Sequence, residues 1–271
     1  MAFNILVCAK QVPDTNVIKI NPKTGTLIRE GVPSILNNDD ANALEEALKI
    51  KDEFDDVHVT VVSMGPPQAQ DMLMECIAMG ADESILISDR AVGGSDTQAT
   101  SNALVATIKK AEEKMGKKFD LVFAGRQAID GDTAQVGPQI AEKLDLPQVT
   151  YVEECTLSAD KSEVTVKRNM EDGYEIIKVK LPCMLTAIKE LNTPRYMTIE
   201  GIFSAKEKPM HVWSAADVEV DLDTVGLEAS PTNVFRSFTP APKGKGEILT
   251  GNSDKEVVEK LLIGLKGKHV I

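Results

Sequence analysis

One stretch of the chain combines glycines, an arginine and acidic side chains in the way that a phosphate-binding loop requires. It covers residues 125–137 and follows an apolar run, residues 119–124, that predicts a buried strand. Its three glycines would let a ligand approach the backbone, and Arg126 could neutralise a diphosphate. Asp132 or Thr133 could cap a following helix, whose dipole would favour the same anion. A capped helix after a glycine turn is the simpler alternative.

Small or polar residues also follow two other predicted strands. Ala9 comes directly after the run 3–8, and its small side chain would let a flat ring or a phosphate come close to the backbone. Met64 lies in the turn after the run 57–63. Either turn could be ordinary chain reversal. Ligands of open parallel sheets bind at the carboxyl ends of strands, however, so both turns are candidate binding positions.

A third polar group, Asn37-Asn38-Asp39-Asp40, precedes the first long helical pattern. Its side-chain amides and the helix N-terminus could bind a nucleotide, or the group could be an ordinary N-cap with spare polar residues. The pattern predicts a helix over about residues 39–51, with one of the two aspartates as N-cap. Glu45 is placed to pair with Lys49 one turn later.

The remaining chemistry-bearing residues exclude several classes of protein. The glycine spacing matches neither the Gly-x-Gly-x-x-Gly dinucleotide fingerprint nor the phosphate loop of nucleoside triphosphatases. The four cysteines are scattered, and none of the three histidines stands in a metal-ligating repeat or beside an obvious nucleophile. Catalysis by protein side chains alone is therefore poorly supported, and a bound cofactor is the better hypothesis.

Up to about residue 150, apolar runs alternate with helical patterns, which indicates crossover units on a parallel sheet. The predicted strands are residues 3–8, 57–63, 84–87, 119–124 and 148–152. Besides the helix at 39–51, helices are predicted from Pro67 to Gly80, from a cap at Ser95 or Asp96 to Gly116, and from near Thr133 to near Leu144. An inserted hairpin is predicted at residues 17–29.

The pattern changes after residue 150. Residues 150–157, 163–169 and 174–181 read as consecutive strands, which predicts an antiparallel extension of the sheet. From residue 192 prolines and glycines weaken the periodicity until a final amphipathic helix, for which Ser253 is the expected N-cap. We therefore divide the chain into an α/β domain, residues 1–191, and a segment of residues 192–271. Its long arm is expected to dock on another subunit; the alternative is that it wraps its own domain.

Composition limits the possible partners and location. The chain has 271 residues, 42% of them hydrophobic and 27% charged, which is enough apolar mass for a real core. Its net charge of −12 would repel a phosphate backbone, so no nucleic acid partner is expected. No run approaches the roughly 20 apolar residues of a membrane span, and no signal peptide is evident. The sequence thus predicts a cytoplasmic protein without membrane insertion.

The longer motifs resemble one family. Residues 5–13, the group Asn37 to Asp40 with the helix after it, residues 78–82 and residues 125–136 are similar to the β subunit of electron transfer flavoproteins. The most specific match is the family's signature stretch, here residues 166–186 with Glu171-Asp172-Gly173 in its middle. Asn192-Thr193-Pro194-Arg195-Tyr196 follows it, as in the family. The resemblance covers nearly the whole chain.

The resemblance implies a fold and a function. The fold would be a mostly parallel, doubly wound, Rossmann-like sheet that binds adenine nucleotides, with the antiparallel extension and the C-terminal arm. The partner would be an electron transfer flavoprotein α subunit that carries a redox FAD. In ordinary members the site of this chain holds structural AMP. In electron-bifurcating members it holds a second FAD that NADH reduces, and electrons leave towards ferredoxin or flavodoxin and towards an acyl-CoA dehydrogenase or another flavin dehydrogenase.

Residues 130–138 are more similar to the bifurcating type, so FAD with NADH as electron donor is the leading expectation. Structural AMP is the first alternative, and an adenine-nucleotide-binding stress or signalling module is the second. Low aromatic content, 4%, indicates a flavin held by backbone and polar groups. No catalytic side chain and no metal is expected in this chain.

Carried over by resemblance, the cofactor site would comprise Ala9, Asn37, Asn38, Asp39, Asp40, Met64, Gly125, Arg126, Gln127, Ala128, Ile129, Asp130, Gly131, Asp132, Thr133, Ala134, Gln135 and Val136. Met64 departs from the cysteine of ordinary members, and its thioether is a compatible soft contact for a ring. The family's partner-recognition loop would fall on residues 196–205, where Tyr196, Ile199, Ile202 and Phe203 are the candidate contacts. For Ile202 and Phe203 a buried connection between elements is the alternative.

Overall fold

A computed structural model of the chain describes residues 2–14, 33–235 and 243–271. The hairpin predicted at residues 17–29 lies outside these ranges. The chain forms two compact units, and the first extends to Phe235. The second contains the described residues 243–271. The sequence-based division at residue 191 and the boundary between the compact units therefore fall at different places.

The elements alternate as the apolar runs predict. The strands are β1 (Phe3–Cys8), β2 (Gln11–Pro13), β3 (Ser34–Leu36), β4 (Val57–Met64), β5 (Glu83–Ile87), β6 (Leu121–Gly125), β7 (Gln148–Leu157), β8 (Glu163–Met170), β9 (Gly173–Lys180), β10 (Cys183–Ala187) and β11 (Met210–Trp213). The α-helices are α1 (Asn38–Glu53), α2 (Ala69–Met79), α3 (Thr97–Met115), α4 (Val136–Lys143), α5 (Ile199–Ser204) and α6 (Asp254–Gly267).

Within the described residues, nine strands form one sheet in the order β11-β5-β4-β1-β6-β10-β7-β8-β9. Neighbours from β11 to β7 are parallel, whereas β8 and β9 add antiparallel pairs at one edge. Leu44 of α1 and Leu73 of α2 lie in the core on one face of the sheet, while Leu104 of α3 and Ile140 of α4 lie in the core on the other. The predicted doubly wound sheet with an antiparallel extension is confirmed.

Several helix ends lie at the capping residues and glycines that the sequence predicted. The Asp96 carboxylate accepts a hydrogen bond from the Ala99 amide at 3.0 Å and caps α3, and Gly116 ends that helix in the left-handed region at φ 68°. Gly80 ends α2 at φ 136°. In the second unit the Ser253 hydroxyl caps α6, as predicted. No α-helix of the described residues is both long and apolar enough to cross a membrane.

Three local predictions are wrong. Neither Asp132 nor Thr133 caps α4, because the helix begins only at Val136, with Gln135 as N-cap. Asn37, not one of the aspartates, is the N-cap of α1. Glu45 pairs with Arg195 rather than with Lys49, which pairs with Glu46. Strands β10 and β11 were not predicted from the sequence, although β10 lies between β6 and β7 near the middle of the sheet.

The strand order creates a crevice between β1 and β6. From β1 the chain crosses to β4 and β5 on one side, and it then returns to β6 on the other side of β1. At such a switch point the loops that leave two neighbouring strands run in opposite directions and open a cleft at their carboxyl ends. Ala9 follows β1, and Arg126 follows β6. The fold therefore places two of the predicted binding segments at the same cleft.

Candidate functional site

The site at this cleft is built around the carboxylate of Asp40, in the first turn of α1. Its Oδ2 accepts a hydrogen bond from the Lys10 amide at 2.8 Å, and its Oδ1 accepts one from the Gly125 amide at 2.9 Å. One buried side chain thus joins the ends of β1 and β6. Burial raises the pKa of Asp40 to about 7, against the opposing effect of the two backbone hydrogen bonds.

Gly125 is required at the end of β6 because α1 approaches its backbone closely. A Cβ atom there would overlap Oδ1 of Asp40 and would lie 2.7 Å from the carbonyl carbon of Asp39. Real Cβ atoms do not come so close to backbone atoms. The glycine that the sequence suggested for ligand access therefore also has a packing reason within the protein.

The side-chain amide of Asn37 holds the loop that follows β6. Its Nδ2 donates to the carbonyl oxygen of Gln127 at 2.9 Å, and its Oδ1 accepts from the amide of Ile129 at 3.0 Å. Asn37 is fully buried, whereas its neighbour Asn38 is exposed. Asn37 thus uses its amide to fix the loop rather than to cap α1, which begins without a side-chain cap.

Three further polar contacts shape the loop, residues 126–135. Lys10 Nζ lies 2.6 Å from Oδ1 of Asp130 and ties the loop to the end of β1. Gln127 Nε2 donates to Oδ1 of Asp132 at 2.5 Å across the turn, whose backbone has φ 53° at Asp132. The amide of Asp132 donates to the carbonyl oxygen of Ala128 at 2.9 Å. The loop therefore has a defined shape, although it carries no regular secondary structure.

Arg126 does not point an unpaired charge at the cleft. Its Nε lies 3.5 Å from Oδ2 of Asp39, and its guanidinium carbon lies 5.5 Å from the centre of the Tyr151 ring. Burial raises the pKa of Asp39, and the charge of Arg126 opposes this shift. Among the described residues, neither Asp39 Oδ2 nor Arg126 Nε has a hydrogen-bond partner. Arg126 is thus paired with a carboxylate, and its contact with a diphosphate stays a prediction.

The far end of the loop leads into α4 and faces α3. Gln135, the N-cap of α4, makes no capping hydrogen bond, and its Oε1 accepts from the Thr97 hydroxyl at 2.9 Å. Gly137 packs closely on β10, where a Cβ atom would lie 2.9 Å from Cγ2 of Thr186. The start of α4 therefore presents backbone N–H groups without a side-chain cap, which suits an anionic ligand.

The predicted residues divide into two groups by their contacts. Ala9 is buried at the end of β1, where its amide donates to the carbonyl oxygen of Val62. The segments around Lys10, Asn37 to Asp40 and residues 125–132 are joined directly by the hydrogen bonds described above. Met64 instead packs against two core clusters at the end of β4. Thr133 is exposed, and Ala134 has φ 53°.

Comparison with known proteins decides the family. The electron transfer flavoprotein domain matches residues 24–218. The chain is 61% identical over 269 residues to the caffeyl-CoA reductase-Etf complex subunit CarD of Acetobacterium woodii, with 99% of this chain and 100% of the relative covered. The chain belongs to the electron transfer flavoprotein family. The resemblance predicted from the motifs is confirmed.

Further relatives identify the subunit type. The electron transfer flavoprotein subunit beta of Clostridium acetobutylicum is 55% identical over 269 residues, with 99% of this chain and 100% of the relative covered. The acryloyl-CoA reductase electron transfer subunit gamma of Anaerotignum propionicum is 53% identical over 276 residues, with the same coverage. This flavoprotein chain is thus a β-type subunit.

The residues predicted to recognise a partner lie on a surface-exposed segment. We call residues 196–205 the docking segment; it contains α5. Tyr196 is 93% exposed, Ile199 and Phe203 are each 77% exposed, and Ile202 is 49% exposed. The alternative of a buried connection for Ile202 and Phe203 is therefore wrong.

Two residues that contact the predicted site residues were not predicted from the sequence. Lys10 stands next to the predicted Ala9, and its ion pair with Asp130 joins positions 120 residues apart, for which a single sequence carries no signal. Tyr151 reaches Arg126 from β7, where the backbone at Tyr151 has φ 59°. The register shift between β7 and β10 near this residue could not be read from the alternation of side chains.

Proposed function

We propose that this chain is the β subunit of a heterodimeric electron transfer flavoprotein of the electron-bifurcating type, which binds FAD at the cleft between β1 and β6 and receives electrons from NADH there. The observation that carries the proposal is the loop of residues 126–135. Asn37 fixes it at Gln127 and Ile129, and the N-terminus of α4 follows it without a side-chain cap.

The residues fit an adenine dinucleotide in three respects. The loop lies at the switch point of the sheet, where dinucleotides bind in open α/β folds. The uncapped start of α4 offers backbone N–H groups to a diphosphate, whereas the amide of Gly131 donates to the carbonyl oxygen of Ala128. Arg126 follows β6 at this cleft; its Nε is paired with Asp39, but its side chain stays one-third exposed, so its remaining N–H groups could donate to a phosphate.

The part played by this chain is binding and orientation. FAD, when bound, supplies the electron chemistry. Asn37, Asp40 and Gly125 hold the loop in a fixed position, so little order has to be gained when the ligand binds. Ile129, which is 44% exposed, would shield one side of the ligand from water.

The proposed partners are an electron transfer flavoprotein α subunit, ferredoxin or flavodoxin, and an acyl-CoA dehydrogenase or another flavin dehydrogenase. Two relatives support this hypothesis by name, since one is a subunit of a caffeyl-CoA reductase-Etf complex and the other is an electron transfer subunit of acryloyl-CoA reductase. The exposed apolar side chains of the docking segment would receive the dehydrogenase.

The test is the cofactor content of the complex. The chain is co-expressed with its α subunit, the heterodimer is denatured, and released FAD and AMP are quantified by chromatography. Two FAD and no AMP per heterodimer, with flavin bleaching on addition of NADH, are the expected result. One FAD and one AMP would show instead that this subunit is the structural half of an ordinary electron carrier.

A further inference from the structure

The docking segment exposes large apolar side chains on a very short helix. Helix α5 has six residues, and Ile199 and Phe203 are each 77% exposed on it. Isolated helices of this length are unstable in water. The order of the segment must therefore come from its contacts with the rest of the first unit.

The entrance to the docking segment is fixed on α1 by Arg195. Its guanidinium donates from Nε to Oε2 of Glu45 at 2.9 Å and from Nη2 to Oε1 of the same carboxylate at 3.0 Å. Nη2 also donates to Oδ2 of Asp52 at 2.7 Å, and the Arg195 amide donates to Glu45. Because Glu45 is buried, this bidentate ion pair between Arg195 and Glu45 is better ordered than an exposed ion pair.

The middle of the docking segment rests on the end of α2 through Gly201. A Cβ atom at this position would overlap the carbonyl oxygen of Ala78 and would lie 3.1 Å from its carbonyl carbon. The amide of Gly201 donates to the hydroxyl of Thr198, which caps α5. Ala205 is buried beside Ile77 and Ala78 just beyond. Only glycine lets α5 approach α2 so closely.

We propose that Gly201 and Arg195 are positioning residues that hold the docking segment in its partner-binding form before the partner arrives. The inference rests on the proposed function, in which this segment receives the dehydrogenase. A segment that is already ordered adds less ordering cost to binding. Loss of either contact should therefore weaken docking and leave the electron transfer within the docked complex unchanged.

The experiment uses the heterodimer co-expressed with the α subunit, and flavin content equal to that of the wild type is required of every variant. The variants are Gly201→Ala, Arg195→Gln, the conservative Arg195→Lys, and Ile199→Ala as the direct contact. Arg90→Gln is the matched control for Arg195→Gln, because Arg90 is exposed and lies outside both the docking segment and the arm. Hydrogen exchange is measured at the amides of the docking segment. KM and kcat are measured with caffeyl-CoA reductase of Acetobacterium woodii as electron acceptor.

For Gly201→Ala and Arg195→Gln we expect about tenfold faster exchange at the amides of Gly201 and Ile202. We also expect a KM for the reductase that is about fivefold to tenfold higher. This factor corresponds to the entropic cost of ordering one or two side chains on binding. The value of kcat should stay within about twofold of the wild type. Arg195→Lys should restore part of the KM, and Arg90→Gln should match the wild type.

Unchanged exchange in Gly201→Ala would overturn the proposal, as would an unchanged KM in that variant when Ile199→Ala raises it. If Ile199→Ala leaves the KM unchanged, the docking role of the segment fails. If the wild type does not reduce the reductase, the proposed function fails instead. The exchange rates then still decide whether Gly201 and Arg195 order it. If Arg195→Gln yields no heterodimer, Gly201→Ala decides alone.

Discussion

The contact between Gly125 and Asp40 is the tightest steric constraint at the cleft, so Gly125→Ala should both destabilise the protein and disturb the loop. The added methyl group would overlap Asp40 and force the end of β6 away from α1. Overpacking of this kind costs about 1–3 kcal/mol, or about 2–5 °C in melting temperature for a chain of this size. The measurement is a melting curve of the heterodimer together with its FAD content.

Gly131→Ala is the matched control for this substitution, since it lies in the same loop and a Cβ atom there meets nothing within 4 Å. Its melting temperature should equal that of the wild type. Equal melting temperatures for the wild type, Gly125→Ala and Gly131→Ala would show that α1 and β6 can separate without loss of stability. The close contact at Gly125 would then not be a steric constraint.

Asp40 should also make the stability depend on pH. Burial raises its pKa to about 7, so the folded protein holds a proton that the unfolded chain has lost between about pH 4 and pH 7. The stability from this group is fully present below about pH 4 and is lost as the pH rises through about 7. Asp40→Asn cannot ionise, and its stability relative to the wild type should therefore increase over this window.

Urea denaturation of the wild-type and Asp40→Asn heterodimers at pH 5, 6, 7 and 8 measures this difference. The side-chain amide of asparagine has only one acceptor oxygen, whereas the backbone N–H groups of Lys10 and Gly125 need two. We therefore also expect the variant to lose about 1–3 kcal/mol of stability at every pH. A difference between the two proteins that does not change with pH would contradict the raised pKa.

At the scale of elements, α1 is the frame that connects the two functional regions. Its N-terminal end carries Asn37 and Asp40, which fix the loop after β6. Farther along, Asn42 exchanges hydrogen bonds with Asn192, and Glu45 binds Arg195. Since a helix of 16 residues is a rigid rod of about 24 Å, displacement of one region is expected to disturb the other.

Asn37→Ala tests the hold of α1 on the loop. The substitution leaves the amide of Ile129 and the carbonyl oxygen of Gln127 without their partner, at a cost of about 1–3 kcal/mol. We expect FAD to be retained about tenfold less tightly, as measured by equilibrium dialysis of the heterodimer. The exposed neighbour gives the control, Asn38→Ala, which should bind as the wild type does. Equal loss in both variants would indicate a general effect on the start of α1.

Local signals predicted those elements whose ends are set by local contacts. Asp96 and Gly116 mark the ends of α3 in the sequence because the helix itself needs their conformations. Asp132 is also a capping residue type, yet its carboxylate accepts a hydrogen bond from Gln127 and α4 starts later. The sequence indicated the family, the sheet and the segments of the site. It could not indicate long-range contacts such as Lys10 with Asp130, because these depend on the register of strands distant in sequence.

At the scale of the whole molecule, the chain carries an apolar helix surface in its second unit that requires a partner. Val258, Leu261 and Leu262 of α6 are between 43% and 52% exposed and recur at helical spacing. We expect this stripe to dock on the α subunit. A carboxylate placed within a buried apolar contact has a large desolvation cost, so Leu261→Asp combined with Leu262→Asp should abolish assembly.

The measurement is co-purification of this chain with a tagged α subunit. Lys260→Asp is the control, because it introduces the same carboxylate on the opposite face of α6. It loses the pair with Glu256, about 0.3–0.5 kcal/mol, and the hydrogen bond from Nζ to the carbonyl oxygen of Thr250. The control should co-purify as the wild type does, and the double variant should not, while the melting transition of the first unit is preserved. Full assembly of the double variant would mean that α6 does not contribute its apolar stripe to the subunit interface, and the arm would then bind through its extended residues 243–252.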